Sequence, residues 1–326
     1  MRTKVSFIFS LLPVFVALAG LITQPLVAAE GARRGLKLCA VSIVPALLPF
    51  FVLSGLLNAL AFPAWLARML RRPMWRWFRL PGSAAIALVL GFVGGYPVGA
   101  ATLAQLRQSG AIGPREAERL LPFCNNTGPA FIIGAVGAGV FASGRIGLLL
   151  YLSHILAALL LGFLSKPRTG ALPTPPAKAP PLSTPTLPQA LPTAVKQAAV
   201  STLYICAFVV FFSVITALLD HSGLLRWLAL WLTAVLGWEL RFSLAALTGF
   251  LELGGGIGAM AGLSPQAENL ALASFLLGFG SLSVHCQTLA AVEEANIKCA
   301  RHFAGRIVHG SLSACITYFL FRLLQS

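Results

Sequence analysis

Nine apolar stretches follow one another along this chain of 326 residues, at 5–28, 36–62, 84–106, 123–141, 146–164, 198–219, 242–262, 269–287 and 303–324. Most approach the roughly 20 residues that a helix needs to cross a hydrocarbon layer of about 30 Å. Only 10% of residues are charged and the mean hydropathy is +0.84, whereas a soluble domain carries about a quarter charged residues. A water-soluble globular enzyme is therefore excluded. Backbone in lipid must satisfy its own hydrogen bonds, and no segment alternates with the period of a barrel strand. The expected fold is all-α, a polytopic helical bundle in the cell membrane.

The 24 Lys and Arg against 9 acids give a net charge of +15. In a soluble protein such an excess would suggest nucleic acid. Here basic residues in short loops orient the chain and face anionic head groups, and no nucleic-acid motif is present. The expected partners are a small-molecule solute and membrane lipids, with no nucleic acid and a homo-oligomer left open. Cys39, Cys124, Cys206, Cys286, Cys299 and Cys315 lie mostly within apolar stretches without C-x-x-C spacing. They read as small core residues, so neither a disulfide frame nor a metal site is expected.

The first stretch follows Arg2 and Lys4 and ends in Val27-Ala28-Ala29, which is similar to a signal-peptide cleavage site. It is longer than the 7 to 15 residues of a usual signal core, so residues 1–30 are read as a retained transmembrane helix, with cleavage as the alternative. Residues 165–193 hold nine prolines, with Lys166, Arg168 and Lys178 and no acid, the composition of a semi-rigid linker outside the bilayer.

This linker separates two similar halves, 31–164 and 194–326. Arg34-Gly35-Leu36 through Leu53 corresponds to Lys196 through Val214. Each half then carries a tryptophan-rich segment, with Trp65, Trp75 and Trp77 in one and Trp227, Trp231 and Trp238 in the other. Such segments suit helices lying at the membrane interface. Glycines of four-residue period come next, Gly91, Gly95 and Gly99 against Gly254, Gly258 and Gly262. Internal duplication is a mark of secondary transporters. The first tryptophan segment has Arg68, Arg71, Arg72, Arg76 and Arg79 and no acid, while in the second Arg226 and Arg241 are balanced by Asp220 and Glu239. The positive-inside rule puts the first in the cytoplasm while the second need not be there, the pattern that inverted repeats would show. Arg33, Arg34 and Lys37 stand against inversion, and placing the basic linker in the cytoplasm as well requires that one segment of the first half not cross, which a broken or re-entrant segment would satisfy.

Four interruptions within apolar sequence are the candidate site. Gly94-Gly95-Tyr96-Pro97 breaks or kinks its helix, since Pro97 cannot donate to the ladder; Gly91, Gly95 and Gly99 alone would serve close helix packing equally well. In Cys124-Asn125-Asn126-Thr127-Gly128-Pro129, Pro129 suits the start of a new helix and Asn126 or Thr127 its cap, leaving N–H groups for a carboxylate or carbonyl oxygen. Leu251-Glu252-Leu253-Gly254-Gly255-Gly256 places an acid in apolar surroundings. Ionised at the bilayer centre it would cost at least about 2.5 to 3.5 kcal/mol, so it must be protonated, face a polar cavity or meet a cation. No arginine stands in an obviously matching position in the sequence. Finally, Gly278 to Gln287 gathers Ser281, Ser283, His285 and Gln287, whereas His154 lacks polar company and reads as structural.

These residues carry a resemblance. Ala32-Arg33-Arg34-Gly35-Leu36-Lys37, Pro45-Ala46-Leu47-Leu48-Pro49-Phe50-Phe51, Gly94-Gly95-Tyr96-Pro97-Val98-Gly99, Glu116 to Leu121, Asn125-Asn126-Thr127-Gly128-Pro129 and Gly278-Phe279-Gly280 resemble the YlbJ-like sporulation integral membrane proteins, which carry the nucleoside-recognition or Gate domain. The likeness covers nearly the whole chain. The Gate domain is similar, more distantly, to concentrative nucleoside transporters, whose inverted repeats bring hairpin tips and unwound helices together at mid-membrane. The resemblance implies two Gate-like repeats, Glu252 as counterpart of the acid in their second-half broken helix, and Gly278 to Ser283 as their second discontinuous helix. It departs in having Leu251 where an Asn precedes that acid and in lacking a Gln-Thr-Glu hairpin tip. For spore-formers it implies movement of dipicolinic acid across a forespore membrane.

The expected function is secondary transport of a small polar or anionic organic solute by alternating access, the solute being dipicolinate-like or nucleoside-like. Tyr96, Asn125, Asn126, Thr127, Ser281, Ser283, His285 and Gln287 are the candidate solute contacts, and Glu252 the coupling group for Na+ or H+, with no other cofactor. The alternative is a non-transporting sporulation or membrane assembly factor, or a passive channel. Neither H-E-x-x-H nor G-x-S-x-G occurs, and Ser281 with His285 lacks a third partner, so an enzyme is not expected.

Overall fold

A computed structural model describes residues 2–60, 62–167 and 185–325. Residues 168–184 of the proline-rich linker, with Arg168 and Lys178, lie outside the described residues. The remainder is helical throughout its regular structure. Helix α1 (Arg2–Thr23) ends at Gln24, where Pro25 opens α2 (Pro25–Leu38) and the chain bends by 104°. The first apolar stretch is therefore not one straight helix, because Pro25 has no N–H to continue the ladder. A wider turn at Cys39–Ile43 leads into α3 (Val44–Ala59), and α4 (Phe62–Met69) begins the first tryptophan segment.

The next two helices form a hairpin. Helices α5 (Ala84–Gly94) and α6 (Val98–Gln108) are joined at Gly95, whose φ of 79° favours glycine, and at the cis bond between Tyr96 and Pro97. Gly91 and Gly99 face each other across the hairpin, and the Cys124 carbonyl fills the gap where a side chain of either would stand. Helix α7 (Pro114–Cys124) then stops at extended residues around Asn125, and α8 (Ala130–Val140), wound more widely than an α-helix, begins after Pro129. Helix α9 (Gly144–Leu164), capped by the Ser143 hydroxyl, closes the first half.

The second half goes through the same order. Helix α10 (Leu187–His221) starts inside the proline-rich segment, with Thr186 and Gln189 forming a capping box. It runs antiparallel to α2 and α3: Gly31 lies against Val214 and Ala217, Gly35 against Val210, and Gly55 against Ala194. The tryptophan helix α11 (Leu224–Leu236) is followed by a hairpin of α12 (Leu240–Leu251) and α13 (Leu253–Ala259) turning at Glu252. A broken helix follows, α14 (Ala267–Phe279) and α15 (Leu282–Val292) with Gly280 at φ 83° between them, and then α16 (Ala300–Gln325). The glycines that let the second hairpin close are Gly249 and Gly256, whereas Gly258 and Gly262 meet nothing within 4 Å. The four-residue ladder thus aligns the halves in the wrong register.

Among the described residues, four helical segments are individually long and apolar enough to cross a membrane: Gly144–Leu164, Leu187–His221, Ala267–Ala295 and Ala300–Gln325. The stretches 84–106 and 242–262, which apolar length alone suggested as spans, instead fold back at mid-length. Helix α16 explains how polar residues are stored in such a bundle. His302, Arg306, His309, Ser313 and Thr317 recur at intervals of three or four on one buried stripe, while Phe303, Ile307, Phe319 and Leu323 face outward. The Ser274 hydroxyl on α14 lies 2.7 Å from that of Ser313 and accepts from Thr317 at 2.8 Å, beside a close approach of Gly278 and Gly310. Small residues and hydroxyls bind helices together where water cannot compete. None of the six cysteines is in a disulfide.

These glycine crossings give a test. Gly91→Ala would drive a methyl group into the Cys124 carbonyl oxygen. It should cost about 1–3 kcal/mol and lower the thermal midpoint of the detergent-purified protein. Gly258→Ala, with open space around it, should be neutral or slightly stabilising.

Candidate functional site

Two half-helices end at one point. The last carbonyls of α7 and of α14 have no partner further along their own helices, and both sets converge on Arg306 of α16. Its guanidinium donates to the carbonyls of Pro122 at 3.2 Å, Asn125 at 2.9 Å and Phe279 at 3.4 Å. It also donates to His309 Nδ1 at 2.8 Å and to the Tyr96 hydroxyl of the first hairpin tip. The side chain is wholly enclosed, and none of its bonds goes to a carboxylate. The negative ends of two helix dipoles and a fork of five donors replace the counter-ion.

The hydrogen bonds continue outward from this point. With Nδ1 accepting from Arg306, His309 Nε2 carries the proton that goes to the His154 carbonyl at 3.0 Å. His154 Nε2 accepts from the Thr127 N–H at 3.2 Å, and the two imidazoles are 4.5 Å apart. His154, without polar neighbours in the sequence, therefore holds the first helix break. The hydroxyls of Tyr96 and Thr127 both donate to the Leu277 carbonyl, at 3.3 and 3.0 Å. Asn125 accepts from the Ala100 N–H at 3.3 Å and donates to Thr288 at 2.8 Å, tying the first hairpin to α15.

Beside this junction lies a cavity of about 70 Å³. Both hairpin tips reach it, through Gly95 and Tyr96 and through Glu252 and Gly254. Both broken helices reach it as well, through Thr127 and Gly128 and through Ser283 and Gln287. Ile43 and Leu47 of the first half and Ile205 and Val209 of α10 form an apolar wall. Glu252 is 4% exposed, and its carboxylate accepts from the N–H groups of Gly254, at 2.9 Å, and Gly255. These donors at the start of α13 supply the partners that a buried carboxylate needs. Glu252 thus belongs to a hairpin turn and not, as the transporter likeness implied, to a broken helix.

Of the candidate solute contacts, Tyr96, Thr127, Ser283 and Gln287 line the cavity together with Glu252. Gln287 donates to the Ser283 hydroxyl at 3.3 Å. The others stand behind it. Neither Asn126 nor Thr127 caps α8: Asn126 donates back to the Phe123 carbonyl at 2.8 Å, and its side-chain oxygen has no protein partner. Ser281 caps α15 through the Val284 N–H at 3.2 Å. His285 is turned toward His302, at 3.3 Å, and packs on Phe279. Arg306 and His309 escaped sequence reasoning, as did the absence of any need for an acid beside them. The spacing His302, Arg306, His309 along one helix face was the available signal.

The hairpins, broken helices and enclosing long helices define an integral membrane protein with the fold of concentrative nucleoside transporters. A doubly substituted CNTnw in an outward-facing state aligns with a TM-score of 0.50 and 13% identity over 97% of this chain and 84% of its own. CNTnw in an inward-facing, substrate-bound state gives 0.49 and 13%, over 96% and 86%. Residues 40–174 match the Gate family model, described as nucleoside recognition. The sporulation integral membrane protein YlbJ of Bacillus subtilis (strain 168) is 30% identical over 331 residues, 94% of this chain and 81% of that protein. The chain belongs to the YlbJ family.

Arg306→Met would leave the carbonyls of Pro122, Asn125 and Phe279 buried without donors. At about 1–3 kcal/mol for each unsatisfied group, the variant should lose at least about 3 kcal/mol, seen as a large fall in thermal midpoint. Arg301→Gln, exposed one turn earlier, should stay within about 0.5 kcal/mol of the parent.

Proposed function

We propose that the chain is a secondary transporter of a small polar or anionic organic solute, bound in the cavity where the four interruptions meet. The observation that carries this reading is that one cavity is reached by both hairpin tips and both broken helices, with Tyr96, Thr127, Glu252, Ser283 and Gln287 in its lining. Interrupted helices around a midplane site are the usual architecture of alternating access. Phe131 in the first turn of α8 and Ser283 and Val284 in the first turn of α15 line this cavity, so a carboxylate or carbonyl oxygen of the solute would approach positive helix ends there. Ser283, Gln287, Thr127 and Tyr96 would orient its remaining polar groups. Glu252 would carry the coupling H+, or hold Na+ with the neighbouring unwound carbonyls. Dicarboxylates of the dipicolinate type fit the polarity of the helix ends, and the family model's nucleoside recognition makes nucleosides the second class to try.

Uptake into proteoliposomes of labelled dipicolinate, other dicarboxylates and nucleosides, with and without Na+ or H+ gradients, is the direct test. One of these should accumulate in response to one gradient. Glu252→Gln should abolish that coupled uptake while the protein still folds and elutes as the parent, with a thermal midpoint lowered by the loss of about 1–3 kcal/mol, since the amide oxygen replaces only one of the two acceptors that face Gly254 and Gly255. Movement of none of these solutes above empty vesicles would sink the reading. Cells retaining the protein's biological role after simultaneous isosteric replacement of Asn125, Asn126 and Glu252 would favour an assembly factor or passive channel instead.

A further inference from the structure

We infer that the first tryptophan segment forms a binding site for an anionic phospholipid head group bearing more than one negative charge. Arg72, Arg76, Arg79 and Lys166 line a single open concavity of about 720 Å³, and no carboxylate shares it. The fold creates it deliberately from two distant parts of the chain. A wide turn at Met74–Phe78 ends with Arg79 in the left-handed region, φ 51°, which turns its guanidinium back over the Trp75 ring at 4.9 Å. From the end of α9, Lys166 reaches across to donate to the Arg76 carbonyl at 2.7 Å and lies over the Phe163 ring at 5.8 Å.

Three features identify the ligand. Four cations facing one space repel one another, and the ion pairs among the described residues, Arg33 and Arg34 with Glu30 and Arg322 with Glu268, involve none of them. An anion of multiple charge relieves that repulsion. The apolar span Gly144–Leu164 ends beside Phe163 and Lys166, which sets the concavity at the boundary between acyl chains and water. Trp77 and Phe163, each 52% exposed, form its apolar edge, a surface of use to a ligand with acyl chains and of none to a free phosphate. Basic pockets at helix ends are where diphosphate lipids such as cardiolipin bind, and the size suits such a head group.

The test uses the full-length protein, purified in detergent and stripped of lipid. Fluorescent cardiolipin is titrated against it, with phosphatidylcholine and inorganic phosphate as competitors. Neither competitor should displace cardiolipin at tenfold excess. At about fivefold per surface cation, Arg72→Gln/Arg76→Gln should weaken binding by about 25-fold, and Lys166→Gln, from the other wall, by about fivefold. Arg226→Gln/Arg241→Gln removes the same charge from exposed positions of the second tryptophan segment and should change affinity less than about twofold. Equal weakening by the two double variants would reduce the effect to the overall field of a basic protein and overturn the site. Unchanged binding in Arg72→Gln/Arg76→Gln, with a thermal midpoint equal to that of the parent, would do so too, and displacement by phosphate alone would make it a phosphate site instead.

Discussion

Everything at the centre of this molecule depends on one cation. Two helices that stop inside an apolar bundle leave two sets of carbonyl groups without partners, and such ends both repel each other and resist burial. Arg306 removes both objections, since its planar fork reaches Pro122 and Asn125 on one side and Phe279 on the other. The carbonyls in turn supply the negative partial charge that allows a guanidinium to stay in a place without acids. The contact to Tyr96 brings the first hairpin tip into the same cluster, so three of the four interruptions are positioned by one side chain.

The second hairpin follows a separate and complementary rule. Its tip carries the acid, and the acid is held by the N–H groups of its own hairpin, at Gly254 and Gly255. Charge is thereby segregated: carbonyl ends and a cation on one side of the breaks, N–H ends and an anion around the cavity. That separation leaves a few polar groups at the edge of a largely apolar cavity without an ion pair that would seal it. The hairpins allow it to be small, because paired glycines such as Gly91 with Gly99 and Gly249 with Gly256 bring main chains almost into contact.

Much of this was legible in the residues. Proline and two amides announced the break at Asn125 to Pro129, and glycines with hydroxyls announced the one at Gly280 and Ser281, because those residue types have few other uses in an apolar helix. The family likeness followed from the same motifs. Fold-back at Tyr96 and Glu252 was not legible from periodicity, since a hairpin of two short apolar helices has the same hydrophobic length as one crossing helix. Nor was the part played by Arg306. Near the start of an apolar stretch an arginine reads as an end group reaching for water, and only the partners brought from residues 122, 125 and 279 reveal that it points inward. His154 shows the converse, an isolated imidazole in sequence whose acceptor serves a backbone N–H 27 residues away.

At Gly95, Gly128 and Gly254 main chain itself stands at the edge of the cavity, beside a wall otherwise made of side chains. At those three places alanine scanning has no side chain to remove and can only add a methyl group, so it will under-report what the main chain contributes. For the same reason this part of the lining keeps its electrostatic character while the side chains around it are exchanged. A scaffold of this kind can diverge in what it accepts without first having to relearn how to fold.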